Sequence, residues 1–183
     1  MSAAGIEYLF LTAGSLITLE GRVTALGASV RLGSLAPTYA LNRLGYNART
    51  FSISADSAGA EGAAASAKRV VFGEMFPTAG GWAGTAAMYR RMLERISEPR
   101  ERVVFSIADD HFDDPHFRDF YSAALPHCRA VTTVSERLAG TLRQLTSRPS
   151  QLAPARATRR ARRPARPRTL EPCWHPVGVV SDW

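Results

Sequence analysis

The chain has 183 residues, 45% of them hydrophobic and 9% aromatic, which suits one globular domain and excludes collagen-like, fibrous and wholly disordered chains. Its formal charge of +7 is unevenly placed: 1–147 hold 15 Lys and Arg against 14 Asp and Glu, while 148–183 hold 8 Arg against 2 acids. The body is therefore nearly neutral, and almost all the basicity belongs to the tail.

Taken in chain order, Ile6–Thr12 is an apolar run that predicts a first strand. A looser stretch with Gly14, Gly21 and Gly27 follows. Leu35–Leu44 predicts a helix, with Pro37 in its first turn and Gly45 as its stop. Asn47–Ile53 alternates as a second strand, and the Ala-rich Ser57–Ala67 is either a weak helix or a loop. Val70-Val71-Phe72 predicts a third strand, and the glycines and proline of Pro77–Gly84 predict a loop.

Thr85–Ser97 reads as an amphipathic helix with Met88, Met92, Leu93 and Ile96 on one side. Arg102–Ile107 is the fourth strand. Asp114-Pro115 predicts an N-cap and a first-turn proline for a helix reaching about Leu125. Cys128–Val134 is the fifth strand, and Ser135 caps a last helix carrying Leu138, Leu142 and Leu145. Strands alternating with helices predict right-handed crossovers and a parallel sheet. The expected fold is α/β: a Rossmann-like, doubly wound parallel sheet over residues 1–147, with an Arg/Pro-rich disordered tail at 148–183.

Cys128 and Cys173 lie far apart without metal-ligand spacing, so a disulfide framework is excluded and a cytoplasmic, reducing setting is expected. No apolar run reaches the roughly 18–20 residues of a membrane span. Glu7 interrupts the N-terminal apolar patch, which makes a poor signal peptide.

In a parallel sheet, ligands bind beyond the carboxyl ends of the strands. Asp109, Asp110 and His111 emerge there from the fourth strand. Carboxylates at such a place can take a proton from a hydroxyl, and an imidazole works near neutral pH. These three are the catalytic candidates. The Gly14 loop lies at the same edge, where backbone and a following helix N-terminus can approach a phosphate. Arg31 can pair with a phosphate, and Glu136 follows the fifth strand. Gly14, Arg31 and Glu136 are the substrate-binding candidates. The acids match no specific metal loop, so no metal is expected.

Three stretches carry a family resemblance. Val30-Arg31-Leu32, Leu35-Ala36-Pro37 and Ala40–Tyr46 resemble the first helix of the N-terminal domain of GT-B glycosyltransferases (family 4 and family 1-like). Arg102–Asp110 resembles their fourth-strand motif, and Ala130–Leu138, with Ser135-Glu136, their strand-to-helix junction. The resemblance spans roughly residues 6–147. It implies hexosyl transfer from a nucleotide-sugar, a co-substrate rather than a cofactor, to a sugar acceptor held by this domain. Many members carry His-Asp where this chain has Ala108-Asp109.

The second, donor-binding domain is missing after Ser147, so the chain is expected to be a truncated half, inactive alone. A frame change in a GC-rich gene would give the same Arg, Ala and Pro density. The alternative is a Rossmann-like binding module whose tail takes nucleic acid or an anionic membrane surface without sequence preference.

Overall fold

The computed structural model describes residues 5–145 and 179–181. In chain order the strands are β1 (Tyr8–Thr12), β2 (Ile17–Leu19), β3 (Arg22–Thr24), β4 (Ala48–Ser52), β5 (Arg69–Phe72), β6 (Val103–Ile107), β7 (Ala130–Thr133) and β8 (Val179–Ser181). Helix α1 runs through three consecutive segments, Ala28–Val30, Arg31–Leu35 and Ala36–Arg43. It is followed by α2 (Ser57–Ser66), α3 (Gly81–Glu94), the short α4 (Pro99–Arg102), α5 (Pro115–Ala124) and α6 (Glu136–Leu145).

The main sheet has the order β4-β1-β5-β6-β7-β8. Its first five strands are parallel, as the sequence predicts, and the fold is α/β and Rossmann-like. The chain steps from β1 outward to β4, then returns past β1 to β5. Strand order therefore reverses between β1 and β5. The sixth strand, β8, is antiparallel to β7 and comes from within the tail that was expected to lack structure. The remainder of the Arg/Pro-rich tail lies outside the described residues.

One face of the sheet is deeply buried. Leu9, Leu11, Val70, Phe72, Phe105 and Val131 meet α2, α3, α5 and α6 in a single core. Ring contacts knit it together: Phe72 to Phe105 at 5.1 Å, Phe105 to Phe120 at 5.9 Å and Phe117 to Tyr121 at 4.7 Å. Each buried aromatic or aliphatic side chain contributes about 1.5–3 kcal/mol. The opposite face carries only a small core, Ala25, Val30 and Leu35, under α1. Beyond α1 the residues Val104, Ser106 and Thr132 are half-buried.

Side-chain caps explain three helix starts. The Asp56 carboxylate accepts from the Gly59 amide at 2.8 Å, so Ser57–Ser66 is a helix rather than a loop. Asp114 accepts from the His116 and Phe117 amides at 2.8 and 3.2 Å, and the Ser135 hydroxyl accepts from Leu138 N at 3.2 Å.

Three boundaries differ from the sequence reading. The stretch 17–24 is not irregular but an antiparallel ribbon, β2 with β3, turning at Glu20-Gly21, both left-handed with φ 49° and 73°. That pair of conformations is the turn that suits the twist of a two-residue hairpin. Helix α1 begins at Ala28, so Pro37 lies inside it. A wide π-helical turn, in which the Ala36 amide reaches back to Arg31 O, precedes the proline and absorbs its missing donor and ring. Helix α3 begins at Gly81, inside the stretch read as a loop.

Candidate functional site

The carboxyl ends of β1, β5 and β6 and the N-terminus of α1 meet at one edge. They enclose a cleft of about 340 Å³ lined by Gly14, Ser15, Leu26, Gly27, Ser29, Val30, Glu74, Phe76, Asp109 and His111. It lies beside the point where strand order reverses, the usual ligand position in open α/β sheets.

Two glycines let α1 approach the strand tips. A Cβ on Gly14 would stand 2.5 Å from Val30 Cγ2 and 2.7 Å from Phe76 Cζ. A Cβ on Gly73 would stand 2.9 Å from Ser34 Oγ and 3.0 Å from Leu11 O. Gly14 thus seats the helix. Its missing side chain is filled by protein, not left open for a ligand.

Two carboxyls form one wall. Glu74 follows β5 and is 9% exposed. Its Oε1 has no hydrogen-bond partner among the described residues. Burial first, then the neighbouring Asp109 charge, pushes its carboxyl up to about 7. The Tyr89 hydroxyl, at 3.2 Å from both Gly73 O and Glu74 O, holds the backbone beneath it. Burial keeps that phenol protonated.

Asp109 is the open partner, its side chain 58% exposed, with Oδ2 at 3.9 Å from His111 Nε2. The His111 ring lies 4.9 Å from Trp82 and 5.7 Å from Phe117, so its face is supported by aromatic rings. Trp82 is set by the loop before it: Thr85 Oγ1 donates to Phe76 O at 3.0 Å and accepts from Thr78 N at 3.2 Å.

The opposite wall is the start of α1. Its first amides, at Ala28, Ser29 and Val30, precede the first intrahelical bond, Arg31 N to Gly27 O at 3.2 Å. Free amides at a helix start attract negative charge. The cleft therefore offers hydrogen-bond donors on one side and carboxyl oxygens on the other.

The structure brings together Gly14, Asp109 and His111 of the sequence candidates. The other three lie outside the cleft lining. Asp110 turns to Arg137, Oδ2 to Nη2 at 3.6 Å. Arg31 Nη1 donates to Ala25 O and Leu26 O at 2.8 and 2.6 Å, tying the loop before α1 to the helix. Glu136 pairs with Arg143 at 3.8 Å.

Sequence reasoning passed over Glu74. Its signal was a lone acid one residue, Gly73, beyond the all-apolar Val70-Val71-Phe72 at the tip of a central strand. Cys128 is buried, its thiol pushed up to about 12 by burial. Among the described residues no cluster of three or more His, Cys, Asp or Glu is placed to hold a metal, and no helix is long and apolar enough to cross a membrane.

Compared with family models, with curated proteins and with solved structures, the chain finds no match.

Proposed function

We propose that this domain is the acceptor side of a sugar-transferring enzyme of the GT-B kind. The observation that carries the reading is the two-walled cleft: the start of α1, at Gly27, Ser29 and Val30, lines one cavity with Asp109 and His111 beside the reversal of strand order. Phosphate oxygens suit the first wall, and sugar hydroxyls suit the second. Asp109 accepts the proton of the acceptor hydroxyl as that oxygen attacks the anomeric carbon of the donor sugar, whose bond to the nucleoside diphosphate breaks as the diphosphate leaves. His111, at 3.9 Å from Asp109, orients the carboxylate. The resemblance of 30–46, 102–110 and 130–138 to GT-B N-terminal domains supports the same assignment. Asp110, paired with Arg137, plays no direct part.

Calorimetric titration of the whole chain tests the proposal, with methyl α-glucoside as the hydroxyl probe and a uridine diphosphate sugar as the phosphate probe. Asp109→Asn is expected to weaken glucoside binding about tenfold or more, the loss of one charge-assisted hydrogen bond, while leaving the nucleotide probe bound. Equal glucoside affinity in the variant and the unaltered chain would overturn it. So would binding of the nucleotide alone that fades steeply with salt and vanishes on removal of the arginine tail, which is polyanion behaviour.

A further inference from the structure

Glu74 is a buried carboxyl with one oxygen unmet among the described residues. A buried carboxyl oxygen without a hydrogen bond is costly to keep. Yet Glu74, nine-tenths buried, leaves Oε1 unmet while its side chain lines the cleft. Tyr89 pins the backbone on either side, so the side chain is held at the cleft floor.

Asp109 is its neighbour, and burial together with that neighbouring charge favours the protonated form of Glu74. Asp109 is the exposed member, so the proton rests on Glu74. The other titratable groups facing Glu74 are His111 on the β6 loop, Tyr89 on α3 and Tyr121 on α5. Both phenols are held protonated by burial. The residues of α1 at the cleft, Gly27, Ser29 and Val30, carry no charge.

We propose that Glu74 is a second ligand-binding carboxyl of the cleft, standing beside Asp109 and accepting a hydroxyl hydrogen bond of the bound polyol on Oε1. The inference rests on the reading of the cleft as a hydroxyl-binding site. It adds a neutral acid beside the carboxylate, a pair that suits uncharged hydroxyls and disfavours anions at this wall. When Glu74 ionises, two negative charges face each other and the pair spreads.

Carbon-13 NMR of the side-chain carboxyls in the whole chain reads the pair directly. A glutamate signal absent from Glu74→Gln should titrate near 7, and Asp109→Asn should lower that midpoint. Methyl α-glucoside binding to the unaltered chain should weaken about fivefold or more above about pH 7, as the second carboxyl ionises. In Glu74→Gln it should stay flat, and in Glu74→Leu it should be lost.

A Glu74 midpoint in the ordinary carboxylate range overturns the proposal. Glucoside binding that Asp109→Asn abolishes and Glu74→Leu leaves intact overturns it alone, with the acceptor reading standing. Absence of any glucoside binding to the unaltered chain overturns both.

Discussion

Glu7 and Glu74 stand at opposite ends of one sheet, just before β1 and just after β5. Glu7 Oε2 accepts from the Asn47 amide at 3.1 Å, and its Oε1 meets Lys68 Nζ at 3.4 Å. The Asn47 amide and Lys68 hold its carboxyl below the usual range against the opposing pull of burial. The cavity beside it is about 140 Å³, lined by Glu7, Tyr8, Tyr46, Lys68 and Arg69. Glu74 has the larger cavity, an unmet oxygen and a carboxyl pushed up to about 7. One acid fastens β1 to its neighbours. The other is kept at a cost to stability, which is how binding groups behave.

The largest effect that sharpens this contrast is on Glu74→Gln. The carboxyl is raised in the folded chain from 4.5 to about 7, so its protonated form favours folding below about pH 4.5 and that benefit is gone once pH passes about 7. At pH 8 the ionised group costs up to about 3 kcal/mol. Glu74→Gln should therefore be more stable than the unaltered chain at pH 8 and nearly equal at pH 4, read by urea denaturation. An equal difference at both pH values would break the contrast.

Next is Gly14→Ala, whose Cβ would stand 2.5 Å from Val30 and 2.7 Å from Phe76. It should cost about 1–3 kcal/mol by overpacking and shrink the cleft. Gly62→Ala, in α2 with nothing within 4 Å of the added Cβ, should instead stabilise, by about 0.5–1 kcal/mol. The same two denaturation curves compare them, and equal shifts would contradict a crowded cleft floor.

The smallest effect belongs to Glu7→Gln. Its carboxyl is lowered in the folded chain, so its contribution is present above the ordinary carboxylate value and is lost as pH falls through the lowered one. The variant should be slightly less stable at neutral pH and should close that gap in acid, opposite in sign to Glu74→Gln. Matching signs would mean that the two ends do not differ as described.

β1, β5 and β6 were legible because each is a short run of apolar, mostly Val, Leu and Phe residues bounded by turn-forming or charged residues. Asp114-Pro115 and Ser135 were legible as caps because their side chains need only the next few residues. The ribbon was not: three residues per strand carry no periodicity, and the signal at Glu20-Gly21 is a conformation rather than a pattern.

Pro37 misled because a proline favours a first helical turn, and a π-helical turn that accommodates it inside a helix leaves no mark in composition. Asp109 and His111 were found because three titratable groups follow one apolar strand. Glu74 stands alone in sequence, and only the parallel pairing of β5 with β6 brings it beside Asp109.

The most direct measurement is an amide chemical-shift map of the whole chain with methyl α-glucoside and a uridine diphosphate sugar added together. Shifts are expected at Gly14, Ser15, Ser29, Glu74, Asp109 and His111, with Tyr46, Lys68 and Arg69 at the other end of the sheet unmoved. Shifts confined to that far end, or to the arginines of 148–183, would contradict a ligand cleft at the strand tips.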